Sequence, residues 1–434
     1  MTLALNQLNK NIYEKFDLNG KTVVIAYSGG LDTSFCAAYF SKICGAKVHA
    51  VSIDTGGFSP QKKEQIAKNA KIYGATEHKW FDSRQQLFDH FLKYLLFGNC
   101  LRGGTYPLAA GAERYSIAIA CAAEAKKTKA AAIVHGSTGA GNDQIRFDIA
   151  FGILAPKTPS LVPVRDFGCS RQDELAFLLE QGLPADFAKG EYSINEGMWG
   201  TTIGGKETKG TYGLPPDSAY LKTVPVSKAP DQPAEVEIDF EQGVPFSLNG
   251  KKLTPVELIA QLDKLAGSHG VGRGTHLGDT ILGIKGRIAF EAPAALVLIA
   301  AHRELEKAVL TKWQAKIKSD CAEYYGTFLH EGLMFDPVMQ DIETLLTSSQ
   351  QHVSGKVGVK LFKGNCIIVG CESPYSLLDL DSAVYGEENS LWTGKQAEGF
   401  GKIAGIQSKI AAASGKKGDA KTKSSEKKMW WENE

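Results

Sequence analysis

The stretch KTVVIAYSGGLDTSFCAAYF, residues 21–40, leads from an apolar run rich in β-branched residues into a helical pattern through two adjacent glycines. The run predicts a short buried strand, and the pattern from Leu31 onward predicts a helix. Such a junction turns the unpaired N–H groups and the positive dipole end of the helix toward one point, and Gly29 and Gly30 let an anion approach the backbone. The stretch therefore favours a phosphate-binding loop, although a glycine pair alone also suits a plain strand-to-helix turn.

Strand and helix patterns continue to alternate up to about residue 188. Further strands are predicted at KVHAVSI, TEHKWFD and AAAIVHGS, and further helices at about 59–74, 83–97 and 109–127. Ser59 suits the N-cap of the first of these helices, with Pro60 at its first position. This alternation predicts an α/β domain in which helices cover both faces of a parallel sheet.

After about residue 190 the alternation stops. Residues 192–218 are rich in glycine and threonine and predict a long functional loop. Strand patterns at 234–253, helices at about 254–267 and 292–319, and a hairpin at 355–373 predict a second, α+β domain. The predicted divisions are an N-terminal extension, a nucleotide-binding domain, a synthetase and multimerisation domain, a C-terminal oligomerisation helix and a disordered basic tail, at residues 1–20, 21–188, 189–395, 396–413 and 414–434.

The charge and cysteine content indicate which cellular compartment and which classes of partner the sequence favours. Lys and Arg number 49 against 48 Asp and Glu, so the body has no global attraction for nucleic acid. No signal-peptide pattern opens the chain, and its longest apolar run is too short to span a bilayer. The eight cysteines are scattered without a C-x-x-C pair, which is typical of reduced, mostly buried thiols. We therefore expect a cytoplasmic protein with neither a membrane nor a nucleic-acid partner.

The residues around the glycine pair select among phosphate-binding loops. The dinucleotide fingerprint G-x-G-x-x-G and the Walker pattern G-x-x-x-x-G-K-[ST] are absent from this loop, which holds no lysine. SGGLDTS, residues 28–34, instead resembles the loop of ATP-pyrophosphatases, which cleave ATP between its α- and β-phosphates. The resemblance implies that the loop holds the departing pyrophosphate while a substrate oxygen takes AMP. Asp32 would then orient phosphate or hold Mg²⁺, and no separate metal site built from protein side chains is expected.

A second motif, HGSTGAGNDQIRFD at residues 135–148, follows the strand pattern AAAIV. A flexible glycine-rich loop that opens a helix at Asn142 or Asp143 would explain the glycines but not the dense polar side chains. Together the two motifs resemble the argininosuccinate synthase family, whose loop runs H-G-x-T-x-K-G-N-D-x-x-R-F. The resemblance continues in EYSINEGMWG, HGVGR, KGR…FEAPA and VSGKVGVKLFKGNCIIVGCESPYSLLD, at residues 191–200, 269–273, 285–294 and 353–379.

The resemblance implies an ATP-dependent carbon–nitrogen ligase of arginine biosynthesis, in which citrulline is activated as citrullyl-adenylate and aspartate displaces AMP to give argininosuccinate. The implied catalytic residues are Asp32, Asp143 and Arg146. The implied ATP contacts are Ala26, Tyr27, Ser28, Gly29, Gly30, Leu31, Asp32, Thr33, Ser34, Ile53 and Gly136. The implied aspartate contacts are Thr138, Asn142 and Asp143, and the implied citrulline contacts are Asn142, Arg146, Ser193, Thr202 and Arg102. The resemblance also implies a need for Mg²⁺ and a homotetramer.

Several positions depart from the family pattern, mostly around the amino-acid end of citrulline. Ala140 stands where the family has lysine, and Ile53 stands where it has an alanine that contacts adenine. Acidic or phenolic family residues are replaced by Arg102, Gly204, Gly278 and Phe290. These changes shift that end of the pocket toward positive potential. The pocket then either binds citrulline through other residues or tolerates a citrulline acylated on its α-nitrogen.

Two other classes of protein share the first motif. A tRNA-modifying enzyme with this loop would adenylate a base, but such enzymes use a sulfur-carrying cysteine pair or an RNA-binding domain with a basic face. A non-catalytic scaffold that binds nucleotide would not need the intact polar residues of SGGLDTS and GNDQIR. The isolated cysteines and the net charge of +1 favour the ligase.

Overall fold

A computed structural model describes residues 5–187, 191–386 and 389–419. The first part of the chain is a five-stranded parallel sheet between helices, as the alternation predicted. The strands are β1 Thr22–Ala26, β2 Lys47–Asp54, β3 Ala75–Asp82, β4 Ala132–Val134 and β5 Ser160–Leu161. The helices are α1 Leu5–Leu8, α2 Leu31–Lys42, α3 Pro60–Ile72, α4 Arg84–Leu87, α5 Lys93–Phe97, α6 Gly111–Thr128, α7 Asp143–Leu154, α8 Pro163–Phe167 and α9 Arg171–Glu180.

Strand β1 has helices on both of its faces because its side chains alternate between two apolar clusters. Val23 and Ile25 are fully buried with the apolar face of α2, whereas Val24 is fully buried with that of α6. A strand buried on both faces needs an unbroken apolar run, which is what TVVIA supplies. The predicted N-cap of α3 is also confirmed, since the Ser59 hydroxyl accepts a hydrogen bond from the Lys62 N–H.

The strand order β3-β2-β1-β4-β5 places the carboxyl ends of β1 and β4 side by side. From β1 the chain proceeds through β2 and β3 in one direction, and β4 and β5 extend the sheet in the other. The loops that follow β1 and β4 therefore lead to opposite sides of the sheet and border a crevice. Ligands of open α/β sheets bind in such a crevice.

The second part of the chain combines two antiparallel sheets with four helices, which confirms the predicted α+β class. Its strands are β6 Tyr192–Gly197, β7 Gly200–Gly205, β8 Ala234–Glu241, β9 Val244–Leu248, β10 Lys251–Lys252, β11 Arg273–Asp279, β12 Lys285–Glu291, β13 Gly355–Phe362 and β14 Asn365–Glu372. Its helices are α10 Pro255–Ser268, α11 Pro293–Val309, α12 Lys312–Glu331 and α13 Pro337–Ser349. The sheet orders are β11-β12-β7-β6 and β10-β9-β8-β13-β14.

Two predicted elements of this part were wrong. The helix expected over 292–319 is two helices, because Leu310 is extended and Thr311 caps α12 through a reciprocal pair of hydrogen bonds with Gln314. The glycine- and threonine-rich segment is not a structureless loop at its start, because β6 and β7 form a hairpin there.

Residues 377–386 and 389–419 belong to a second compact unit. It contains α14 Gly394–Ala404 and α15 Ile406–Asp419, so the single terminal helix expected over 396–413 was wrong. The tail predicted to be disordered overlaps α15 at residues 414–419, and its remainder lies outside the described residues. Over the described ranges no helix is both long and apolar enough to cross a membrane. All eight cysteines are free, four of them buried and four partly buried.

Candidate active site

A cavity of about 1090 Å³ opens at the carboxyl ends of β1 and β4 and reaches the β6–β7 and β11–β12 hairpins. It brings together nearly all of the residues predicted from the sequence: Ala26, Tyr27, Ser28, Gly29, Gly30, Leu31, Asp32, Thr33, Ile53, Arg102, Gly136, Thr138, Asn142, Asp143, Arg146, Ser193 and Thr202. Ser34 lies outside the lining. Its hydroxyl is fully buried, 3.1 Å from the Tyr27 hydroxyl, so it supports the loop from behind.

The glycine loop presents the start of α2 to the cavity. Gly30 is an extended N-cap without a side-chain cap, which leaves the first N–H groups of α2 available to a ligand. Gly29 has a φ of +77°, and a Cβ there would lie 2.7 Å from Cγ1 of Ile66. Only glycine fits this turn without displacing α3. The Ser28 hydroxyl lies 3.2 Å from that of Thr33, so hydroxyl donors also surround the turn.

The loop after β4 touches the same turn. A Cβ on Gly136 would lie 3.1 Å from three atoms of the Asp32–Thr33 backbone and side chain. This contact brings the two predicted motifs together, since Gly136 belongs to the second motif and Asp32 to the first. The two loops therefore enclose one space.

Asp32 pairs with a second carboxyl group that sequence reasoning missed. Burial raises the pKa of Asp32, although a hydrogen bond with Glu174 of α9 acts in the opposite direction. Burial and the adjacent Asp32 raise the pKa of Glu174 to about 9. The burial of two adjacent carboxyl groups therefore favours one proton shared by Asp32 and Glu174. The pair carries one negative charge at the start of α2.

The start of α7 carries a charge cluster in which two buried arginines flank Asp143, which is partly exposed to the cavity. Both oxygens of Asp143 are engaged, because Oδ2 accepts from Arg114 Nε and Oδ1 from Arg146 Nη1, each at 2.9 Å. Burial alone would raise the pKa of Asp143, but the two guanidinium groups outweigh it and hold that pKa below its usual range. Asp143 therefore fixes two arginines at the cavity. Asn142 is held as well, since its Oδ1 accepts from the Ile281 N–H at 2.9 Å.

Arg146 is positioned from the other side by α12. Its Nε donates to the backbone oxygen of His330 at 2.9 Å, and its Nη2 lies 3.1 Å from His330 Nδ1. Burial together with the charges of Arg146 and Arg102 lowers the pKa of His330 to about 3, so the imidazole is neutral and accepts from Arg146. Residues from the start of α7 and the end of α12 thus fix one guanidinium.

The β6–β7 and β11–β12 hairpins close the far side of the cavity. Ser193 on β6 and Thr202 on β7 lie in its lining. The Tyr106 ring packs against those of His276 and Phe290 at centroid distances of 5.6 and 5.3 Å. Arg102 reaches this wall, where its Nη2 donates to the backbone oxygen of Asp279 at 3.1 Å.

Sequence reasoning missed Glu113 and Arg114, which stand in the first turn of α6. Burial raises the pKa of Glu113 to about 7, and its Oε1 has no hydrogen-bond partner among the described residues. Oε1 fits only because residue 197 is glycine, where a Cβ would lie 1.4 Å from it. The one available signal was a charged pair at the start of an alanine-rich helix, which also suits a solvated surface.

Comparison with known proteins agrees with this geometry. The family model described as "Arginosuccinate synthase N-terminal HUP domain" matches residues 22–184, and "Arginosuccinate synthase C-terminal domain" matches residues 192–411. The chain belongs to the argininosuccinate synthase family. Argininosuccinate synthase from Pyrococcus furiosus is 38% identical over 90% of this chain and 94% of its own. Argininosuccinate synthase from Rubrobacter xylanophilus is also 38% identical over 90% of this chain and 94% of its own. Argininosuccinate synthase from Methanocaldococcus jannaschii is 36% identical over 90% of this chain and 98% of its own.

Membership confirms the expected ligase class and the use of ATP. Argininosuccinate synthases are carbon–nitrogen ligases, and the HUP match accounts for the parallel sheet with its ATP-pyrophosphatase loop. The matched ranges run through both parts of the chain that line the cavity.

Proposed function

We propose that this chain joins citrulline to aspartate, forming argininosuccinate while ATP is cleaved to AMP and diphosphate. The observation that supports this most strongly is the shared cavity onto which the glycine loop, the start of α7 and the β6–β7 hairpin all open. A nucleotide and two amino acids must meet within bonding distance for such a reaction. About 1090 Å³ is enough space for that assembly.

In the first step the α2 start holds the β- and γ-phosphates, and the ureido oxygen of citrulline attacks the α-phosphorus. The N–H groups of Gly30 to Thr33 and the Ser28 hydroxyl stabilise the departing pyrophosphate. A carboxylate beside a phosphate site suits Mg²⁺, which takes one or two carboxylates together with phosphate oxygens, so Asp32 would hold it. When bound, that ion neutralises the charge that develops on the phosphates.

In the second step the amine of aspartate attacks the adenylated carbon and AMP departs. Thr138, Asn142 and Asp143 hold aspartate, and Asn142 and Arg146 reach citrulline. Because Asp143 already binds Arg114 and Arg146, we assign it the positioning of both guanidinium groups for substrate carboxylate or ureido oxygens. The reaction then relies on positioning and charge stabilisation, with no covalent nucleophile.

The proposal extends to organisation and location. We assign residues 21–188 to nucleotide binding and 189–395 to the synthetase domain, and we propose a cytoplasmic homotetramer. In α14 the side chains of Phe400 and Ile403 are 74% and 70% exposed, and burial of such groups between subunits would stabilise an assembly.

A coupled pyrophosphate-release assay tests the function. We expect diphosphate only when ATP, citrulline and aspartate are all present, with one AMP formed for each argininosuccinate. Steady release without an amino-acid substrate would contradict the proposal, as would product formation in which asparagine replaces aspartate equally well.

A further inference from the structure

Arg102 is a cation at the cavity that lacks a carboxylate partner. Within the described ranges its hydrogen bond goes to the backbone oxygen of Asp279, and no acid lies within ion-pair distance of it. Its charge lowers the pKa of the neighbouring His276, for which burial is the larger cause. His276 is therefore neutral and does not add to the charge. A guanidinium held by one carbonyl keeps most of its donors for a ligand.

The acidic side chains of the cavity either have other partners or lie away from Arg102, at the tip of the β6–β7 hairpin. Asp143 binds two arginines, and Asp279 forms an exposed ion pair with Lys285 at 2.6 Å. Glu196 stands at the tip of the β6–β7 hairpin, where its backbone packs against Gly57, and Glu113 of α6 lies against Gly197 at the same tip. No described carboxylate beside Arg102 is thus free to accept a substrate ammonium.

Next to Arg102 the cavity runs along one face of the β11-β12-β7-β6 sheet, and we call this part of the cavity the groove. Directly paired residues of antiparallel strands share a face. The pairs His276 with Ile288 and Gly278 with Gly286 line the cavity, and Gly204 shares their face through its pairing with the lining residue Ser193. At Gly204 a Cβ would meet nothing within 4 Å, so the groove is open there, whereas a Cβ at Gly278 would lie 2.5 Å from the His276 ring. The groove runs past Ser193 and Thr202, the residues we assign to citrulline.

We propose that this groove binds a carboxylate-terminated acyl group carried on the α-nitrogen of citrulline, with Arg102 pairing the terminal carboxylate. The inference rests on the proposed function, because it names the form of the citrulline substrate. The free α-ammonium of citrulline would be repelled by Arg102 and would lack a carboxylate partner. Acylation with a carboxylate-terminated group removes the ammonium charge and adds an anion that Arg102 can pair. The ureido end and both chemical steps are unchanged.

Steady-state kinetics with citrulline, N-acetylcitrulline and N-succinylcitrulline tests the proposal, with ATP and aspartate saturating. We expect kcat/KM for N-succinylcitrulline to exceed that for citrulline at least tenfold. In Arg102→Gln the ratio of succinyl to acetyl kcat/KM should fall at least tenfold, since only the succinyl group ends in a carboxylate. Arg102→Lys keeps the charge and should recover part of that ratio.

Gly204→Glu supplies the opposite change at an open position. The new carboxylate should favour free citrulline and disfavour the succinyl derivative. A wild-type preference for free citrulline, or an unchanged succinyl-to-acetyl ratio in Arg102→Gln, would overturn the acyl subsite and leave the proposed function intact. Absence of diphosphate release with all three compounds would overturn the proposed function and this inference with it.

Discussion

Asp143→Asn removes the charge that holds Arg114 and Arg146 at the cavity. Each arginine loses one charge-assisted hydrogen bond of 2.9 Å, and such bonds contribute about 1.5–3 kcal/mol apiece when buried. The Asp143 side chain is 34% exposed to the cavity, and asparagine keeps one acceptor oxygen. Each of the two hydrogen bonds therefore contributes less free energy than a fully buried one. We expect a loss of about 2–3 kcal/mol in the free energy of unfolding.

The same substitution should lower activity, because a displaced Arg146 no longer reaches the citrulline site that we propose. If the full 2–3 kcal/mol is lost from the transition state, kcat/KM for the citrulline substrate falls about 30- to 150-fold. Urea unfolding measures the first quantity and pyrophosphate release the second.

Asp148→Asn is the matched control. Asp148 lies on the same helix, binds Arg165 and has a side chain 35% exposed, but it does not line the cavity. It should lose comparable stability while kcat/KM changes less than about threefold. Asp143→Asn with wild-type stability would refute the reasoning, as would an equal loss of activity in the two variants.

Three further predictions follow from separate contacts. Gly136→Ala places a Cβ 3.1 Å from backbone atoms of the ATP loop and should raise KM for ATP at least tenfold, whereas Gly139→Ala, with its nearest atom at 3.5 Å, should not. Burial lowers the pKa of His302 to about 4, so this histidine is protonated more readily in the unfolded chain than in the folded one. The free energy of unfolding should therefore fall by about 3 kcal/mol from pH 6.5 to 4. Urea unfolding across this range should show that His302→Gln lacks this part of the pH dependence. Deleting residues 396–434 should lower the mass seen by light scattering, while deleting only 415–434 should leave activity intact; an unchanged mass would remove the role of α14 and α15 in assembly.

The sequence predicted those parts of the site whose signals are local. The loop at Ser28–Gly30 and the start of α7 at Asp143 follow from glycine, hydroxyl and strand patterns within about ten residues. The break at Thr311 also has a local signal, because Thr311 and Gln314 form a capping box, which the long apolar pattern around it obscures.

The remaining site residues depend on tertiary packing. Arg114 gains its role only because α6 packs beside α7, and His330 arrives from a helix nearly two hundred residues beyond Arg146. Glu174 looks like an ordinary surface acid of a helix until α9 is laid against α2, where it meets Asp32. Such residues carry no local pattern, so only the folded chain brings them together.

Transfer of oxygen from citrulline to AMP tests the central claim most directly. With citrulline, or the acyl derivative that serves best, labelled with ¹⁸O in its ureido group, an attack on the α-phosphorus within this cavity predicts one labelled oxygen in each AMP and none in diphosphate. Label in diphosphate, or AMP that carries only solvent oxygen, would contradict the account.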